Sequence, residues 1–392
     1  SNKSKKNKFR KHSMKICIIT PGYPDLGRPF FVFVERLVNE FADQGHQCVV
    51  IAPQSILQIV FRNTKKSSFH RFHRTEKGNI VEIYQPYYLS FSNYKIGNIL
   101  KRFTHKLALK RVIKRLDDPP TLFYAHFWVS AFQIYRIALK AQIPLFVATG
   151  ESEIHSFEYV SKTFLNNFTN YVSGVICVSE KSKLESINLN LTTNEKCITL
   201  NNAVDKNKFY VKDKEICRKK LGISEDVFLV IFVGGFIHRK GSLRVSNALQ
   251  MLNDKNIESI FIGSGIDEPQ YNRIFHSGPV ENNKIIDYLN SADVFVLPTL
   301  REGCCNAIIE AMACCLPIIS SNLSFNDDIL NSKNSIRIDP NNIVKLAEAI
   351  NMLKESPKIR TEMSSQSLKI ASKLTIDKRA LKIIDFIRNK LD

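Results

Sequence analysis
Apolar runs without polar alternation recur along this chain, each followed by a turn and often by an amphipathic helical stretch. KICIIT (15–20) is broken by Pro21 and Gly22. Val34, Leu37, Val38 and Phe41 then recur at helical spacing until Gly45, and CVVIAP (48–53) follows. A strand with no polar face must be buried on both sides, and a helix between two such strands returns the chain so that they run parallel. LFYAHF (122–127), PLFVATG (144–150) and GVICVS (174–179) continue the series. A second series opens with VFLVIFVGG (227–235), passes through a helix from Ser242 to Leu252, and adds ESIFIGSG (258–265) and DVFVLP (293–298). The pattern predicts an α/β architecture of two Rossmann-like, doubly wound parallel-sheet domains. At 392 residues the chain is too long for one core, which agrees with two.

Charge is distributed unequally between the halves. Residues 1–210 hold 31 Lys and Arg against 15 Asp and Glu, whereas the remainder holds 25 against 22, within a net charge of +19. Such a field attracts nucleic acid and anionic membrane alike. Residues 94–116 set Ile96, Leu100, Phe103 and Leu107 among Lys101, Arg102, Lys106, Lys110, Arg111, Lys114 and Arg115. This stripe suits either a membrane interface or a surface helix packed on the first sheet. The segment 61–78 adds basic and aromatic residues and reads as a loop, and residues 1–13 read as a disordered basic lead. With no apolar stretch long enough to span a bilayer and no apolar leader, the expected location is cytoplasmic, peripheral on the inner membrane face. Nine cysteines, two pairs of them adjacent in sequence, read as reduced thiols and not as metal ligands.

The densest chemical signal is REGCCNAIIEAMACCLPIISS (301–321). It follows a buried-type strand, turns at Glu302 and Gly303, and enters a helical period through Ile308, Ile309 and Met312. Glu302 is thereby expected at a strand end and Glu310 about two turns behind, with the free N–H groups of the helix start between them, an environment that suits a diphosphate. Taken alone, two glutamates eight residues apart also describe a solvated face.

At Glu302, Gly303, Asn306, Glu310, Ala311, Met312, Ala313, Pro317 and Ser320 the chain resembles the retaining glycosyltransferases of family 4, whose pattern is E-G-x-x-N/P-x-x-x-E-A-M-A-x-G-x-P-V-V-x-S. Cys315 stands where glycine is usual. The resemblance implies the GT-B fold, with an acceptor-side domain over 14–205, a nucleotide-sugar domain over 206–375 and a final helix (376–392) returning to the first. NNAVDKNKF (201–209) is similar to the family's hinge strand, and the twelve residues between Gly265 and Gly278 make a shorter connection than usual.

The resemblance further implies a role for each matching residue. VGGFIHRKG (233–241) is similar to V-G-R-x-x-x-x-K-G, in which arginine and lysine neutralise the leaving diphosphate. Lys240 matches, Gly235 occupies the arginine position, and neighbouring Arg239 could supply the charge. Glu302 is expected on hydroxyls of the transferred sugar, backbone amides of Gly303, Cys304, Cys305 and Asn306 on sugar and phosphate, and Glu310 on the ribose. No cofactor or metal is expected, since fixed cations and a helix dipole replace one.

In the first domain, Gly22 and Gly27 border a loop that either lets backbone approach a phosphate or is an ordinary turn. Gly150 stands where the family commonly has a histidine that contacts the donor sugar, and Glu151 follows it. His126 has either a polar role in the cleft or a place among core aromatics. The expected partners are a nucleoside diphosphate sugar, UDP- or GDP-linked, a glycan or polyprenyl-linked acceptor and an anionic membrane, with no nucleic acid. The rival readings are a degenerate GT-B partner subunit or a basic nucleic-acid- or membrane-binding protein, both favoured by Gly235, Gly150 and the charge.

Overall fold
The computed structural model describes residues 13–25, 31–61, 66–89, 95–155 and 160–392, with side chains of 58, 61 and 95–99 left aside. The chain divides into two compact units, Ser1–Val178 with Ser182–Leu200 and Ala380–Asp392, and Ser179–Lys181 with Asn201–Arg379. The expected disordered lead lies outside the described residues up to 12, as does Gly27.

In chain order the first part contains β1 (Lys15–Ile19), α1 (Val32–Asp43), β2 (Gln47–Ile51), β3 (Gln54–Ser55), α2 (Ile56–Phe61), β4 (His70–Arg74), β5 (Ile80–Tyr84), β6 (Tyr87–Tyr88), α3 (Lys95–Ile113), β7 (Leu122–His126), α4 (Trp128–Ala141), β8 (Leu145–Thr149), α5 (Lys162–Tyr171), β9 (Gly174–Cys177), α6 (Glu180–Asn188) and β10 (Cys197–Thr199). Eight of these strands form one sheet in the order β10-β9-β8-β7-β1-β2-β5-β4. Ile16 pairs with Cys48 on one side and Leu122 on the other, both parallel, so strand order reverses at β1. In open α/β sheets such a reversal opens a crevice at the carboxyl ends of the strands. Phe123, Phe168 and Trp128 are fully buried and pack with Val147 and Val175 in the same core.

Two elements differ from the sequence expectation. Part of the 61–78 segment is a strand: β4 pairs antiparallel with β5, Arg71 opposite Ile83. Its HRFHR alternation presents charge along the sheet edge, where it discourages pairing with other chains. In α3, the face packed on the first unit is His105, Ala108, Leu109 and Val112, with Leu109 and Val112 joining the core. Leu100, Phe103 and Leu107 stay exposed at 40%, 58% and 38%.

The second part comprises α7 (Lys214–Leu221), β11 (Phe228–Val233), α8 (Ser242–Leu252), β12 (Ile257–Ile262), β13 (Ile274–Gly278), α9 (Ile285–Ser291), β14 (Val294–Leu297), α10 (Asn306–Ala313), β15 (Ile318–Ser321), β16 (Ser335–Ile338), α11 (Ile343–Glu355), α12 (Pro357–Ala371) and α13 (Ile376–Leu391). Its six-stranded sheet runs β13-β12-β11-β14-β15-β16, all parallel, and reverses at β11. No helix joins β12 to β13. Ser242 donates to the Asp267 carbonyl and Gln250 to that of Gln270, so α8 holds this short connection in place. Helix α13 begins in the second unit, where Asp377 pairs with Lys206 at 2.9 Å, and its last turns belong to the first, where Phe386 meets Phe146 edge-on.

Among the described residues no helix is long and apolar enough to cross a membrane. All nine cysteines are free thiols.

Candidate active site
At the reversal point of the second sheet, the loops after β11 and β14 meet. Residues 238–240 form a turn, and the Leu300 N–H donates to the Arg239 carbonyl at 2.8 Å, tying one loop to the other. Arg239 Nη1 and Lys240 Nζ consequently converge on a single oxygen, Glu302 Oε1, at 2.8 and 2.5 Å. Thr299 Oγ1 donates to the same oxygen at 3.0 Å. Neighbouring side chains usually diverge, but here the turn points both into one place.

The three charged side chains are 29%, 17% and 12% exposed in the order Arg239, Lys240 and Glu302, so their attraction is less screened than on an open surface. Burial is the largest influence on Lys240 and opposes its charge. Cys305 and the Glu302 carboxylate outweigh it, and the ammonium pKa lies above its ordinary value. Burial also pushes the Cys305 thiol up.

Buried polar groups support this loop. Ser321 donates its hydroxyl to the Thr299 carbonyl, Ser320 to that of Leu297 at 2.8 Å, and Asn326 bridges Ser320 and Ser321. Arg244, 8% exposed, donates to the His238 and Pro298 carbonyls and braces both loops from behind. Sequence reading missed Thr299, Asn326 and Arg244. The only signal was a polar residue ending an apolar run.

Gly263 and Gly265 close the rim beside Gly234 and Phe236. A Cβ on Gly263 (φ +154°) would lie 1.9 Å from the Gly234 carbonyl oxygen, and one on Gly265 (φ +155°) 2.1 Å from that of Phe236. Gly235 has room: a Cβ there would find its nearest atom at 3.8 Å. A Cβ at this position is therefore not excluded by space.

Helix α10 starts at Asn306 with Cys305 as its N-cap, Gly303 and Cys304 buried just before it, and Glu310 half-buried in its second turn. The Cys304 carbonyl accepts from Asn202 Nδ2 at 2.9 Å. Cys315 N–H donates to Met312 and Leu316 N–H to Ala311, a Schellman end, with Cys315 at φ +61°. Glycine is usual here because that left-handed conformation carries no side-chain penalty in it.

In the first unit Gly22, His126, Gly150 and Glu151 lie at or just beyond the carboxyl ends of β1, β7 and β8. His126 is 8% exposed and its ring lies 5.3 Å from Phe33 and 4.5 Å from Phe127, among aromatics. The Glu151 carboxylate turns inward to accept from Trp128 N–H at 2.7 Å, Thr149 Oγ1 at 2.8 Å and Gly150 N–H at 2.9 Å. It thus caps the N-terminus of α4, where a carboxylate complements the helix dipole. Burial nonetheless holds its pKa above the usual carboxylate value, against those hydrogen bonds. Gly150 has ordinary space for a Cβ, 3.5 Å from Phe127 and Val178, whereas Gly22 lies under the Phe31 ring.

Sequence profiles of known families match both parts of the chain. Glycosyltransferase Family 4 matches residues 31–208 and Glycosyl transferases group 1 matches residues 213–369. The putative teichuronic acid biosynthesis glycosyltransferase TuaC of Bacillus subtilis (strain 168) is 29% identical over 349 residues, covering 86% of this chain and 88% of its own. The N,N'-diacetylbacillosaminyl-diphospho-undecaprenol alpha-1,3-N-acetylgalactosaminyltransferase of Campylobacter jejuni is 25% identical over 266 residues, 64% of this chain and 70% of its own. Among solved structures, Anabaena Alr3699/HepE in complex with UDP superposes with a TM-score of 0.73 at 18% identity, covering 96% of this chain and all of that one (100%). Two parallel-sheet units, two consecutive profile matches and the 301–321 signature agree: the chain belongs to the family 4, group 1 glycosyltransferases and has their GT-B fold.

Proposed function
We propose that this glycosyltransferase moves a sugar, with retention of anomeric configuration and without a metal ion, from a UDP- or GDP-sugar to a lipid-linked glycan acceptor in cell-surface polysaccharide synthesis. The observation that carries the reading is the convergence of Arg239 and Lys240 on Glu302 Oε1. When the anomeric C–O bond breaks, its electron pair goes to the departing diphosphate while the sugar becomes oxocarbenium-like. Two cations fixed beside the start of α10 stabilise that charge without reorganising. Arg239 supplies the cation absent at Gly235, and Glu302 has a second oxygen that can accept from a sugar hydroxyl. Glu310 is assigned to the ribose.

The acceptor and location readings draw on other observations. TuaC and the Campylobacter enzyme act, by their names, in teichuronic acid biosynthesis and on a diphospho-undecaprenol. Exposed Leu100, Phe103 and Leu107 on α3 stand among basic residues, the composition of a segment that rests on an anionic membrane from its cytoplasmic side.

The test combines three assays. Lys240→Ala should lower transfer at least about a hundredfold, the scale of one fixed electrostatic stabiliser. Transfer should persist in a metal chelator, and the product's anomeric configuration, read by NMR, should match the donor's. Near wild-type turnover in Lys240→Ala, or an inverted product, would contradict the reading. Sedimentation with anionic vesicles tests the location, and tight binding to nucleic acid without vesicle binding would overturn it.

A further inference from the structure
Arg244 breaks two local preferences at once. It is the third residue of α8, whose first turn holds no acidic side chain, so its cation sits at the positive end of the helix dipole. It is also 8% exposed, and burial lowers its pKa, with the nearby Asp267 carboxylate opposing that effect. Both placements work against stability, and departures of this kind gather at functional positions. Long side chains on a helix reach back over the turn before them, and here that turn is the Lys240 loop. Nη1 donates to the His238 carbonyl at 2.8 Å and Nη2 to the Pro298 carbonyl at 2.7 Å, with the Arg239 carbonyl 3.5 Å from Nη2. Gly241 leaves room for this: a Cβ there would stand 2.6 Å from Nη2 and 2.8 Å from the guanidinium carbon. One guanidinium thus lies against the backbone immediately after Lys240 and also holds the residue that follows β14.

Neighbouring carbonyls of the two loops are engaged as well. That of Ile237 accepts from the Lys240 and Gly241 N–H groups at 2.9 and 3.2 Å, that of Arg239 from Leu300 N–H at 2.8 Å, that of Thr299 from the Ser321 hydroxyl, and that of Arg301 from Arg239 Nη1 at 2.6 Å. A backbone carbonyl is an obligatory acceptor and the negative end of its peptide dipole. One of these carbonyls on each loop, His238 and Pro298, depends on Arg244. Released, they would be free to turn toward the place where Arg239 and Lys240 converge, and their oxygens would oppose an anion there.

We propose that Arg244 is a positioning residue for the donor: by holding the His238 and Pro298 carbonyls inward, it keeps the Arg239–Lys240 pair turned to the terminal phosphate of a nucleoside diphosphate with no backbone oxygen opposing it. This role rests on the donor-side part of the functional reading and deepens it. It assigns the site's preference for a diphosphate over a monophosphate to a side chain that lies beneath the loop and does not itself touch the ligand.

Titration calorimetry on the full chain tests it with two pairs of probes, UDP with UMP and GDP with GMP. For the base that binds, the wild type should prefer the diphosphate at least about tenfold, the scale of charged hydrogen bonds to the added phosphate. Arg244→Met, which removes both donors, should lower that preference at least about fivefold and leave monophosphate affinity nearly unchanged. Arg244→Lys, whose single ammonium cannot fork between two carbonyls, should fall between Arg244→Met and the wild type. Circular dichroism and unfolding midpoints identify a variant that fails to fold, and if Arg244→Met does so, a lowered preference in Arg244→Lys decides. A brace that serves stability alone predicts lower unfolding midpoints with the diphosphate preference unchanged. That result, or equal weakening of diphosphate and monophosphate, would overturn the proposal. Binding of neither diphosphate by the wild type would remove the donor reading and this role with it. A preference lost in Lys240→Ala but kept in both Arg244 variants would leave the donor reading standing and overturn the role of Arg244 alone.

Discussion
Glu302 takes part in two kinds of interaction. Its Oε1 is committed to Arg239, Lys240 and Thr299, while Oε2 has no side-chain partner among the described residues. Removing the carboxylate leaves both cations available to a diphosphate. Glu302→Ala should therefore keep or slightly increase affinity for free UDP or GDP while reducing transfer. Glu310→Ala should weaken the same nucleotide by roughly 1.5–3 kcal/mol, the range for a lost charged hydrogen bond. Calorimetry distinguishes the pair, and equal defects in nucleotide binding would refute the division of roles. Glu302, Lys240 and Glu310 were legible because a motif spaces them. The pairing of Arg239 with Lys240 was not, since it depends on a turn fixed by Leu300, sixty-odd positions away. The inward turn of Glu151 was not legible for a similar reason: the amide it caps, that of Trp128, lies 23 residues upstream, outside any local pattern.

Among the elements, α10 combines the start here assigned to the diphosphate with an end that departs from the family pattern. Cys315 holds a left-handed conformation that costs a non-glycine residue about 1 kcal/mol or more, and its thiol, a weak donor, gives one hydrogen bond to the Ser364 carbonyl at 3.4 Å. Cys315→Gly should raise stability by about 0.5–1 kcal/mol in urea unfolding, with the profile otherwise unchanged. The opposite sign is expected for Gly263→Ala, whose Cβ would overlap the Gly234 carbonyl. It should cost roughly 2 kcal/mol or more and loosen the Lys240 loop, visible as a lower unfolding midpoint together with weaker nucleotide binding. Strands β1, β7, β11 and β14 were legible because double burial leaves them no polar position. Strand β4 was not, because an edge strand half open to water carries the composition of a loop, and α3 showed its apolar residues but not which of them would be buried.

For the molecule as a whole, stability should depend on acid through the first unit. Burial, with Lys101 near one and Arg388 near the other, lowers the His105 and His46 pKa values to about 4. The unfolded chain takes up these protons near pH 6.5, before the folded one does, so stability is complete above that and falls as pH drops toward 4. A shift of this size amounts to up to roughly 3 kcal/mol at His105, which is 5% exposed. Unfolding midpoints at pH 7.5, 5.5 and 4.5 should decline, and His105→Phe should flatten the decline. The two-domain architecture was legible because twin series of apolar runs cannot share one core, whereas the position at which the chain passes between units depends on packing that no single segment encodes. The central claim is that the second unit grips a nucleoside diphosphate through the Arg239–Lys240 pair. Titration calorimetry of UDP and GDP into the full chain tests it most directly. One of the two nucleotides should bind the wild type and lose at least about tenfold in affinity in the Arg239→Ala, Lys240→Ala double variant, as expected when charged hydrogen bonds are removed. Binding of neither nucleotide, or undiminished binding in the double variant, would contradict the account.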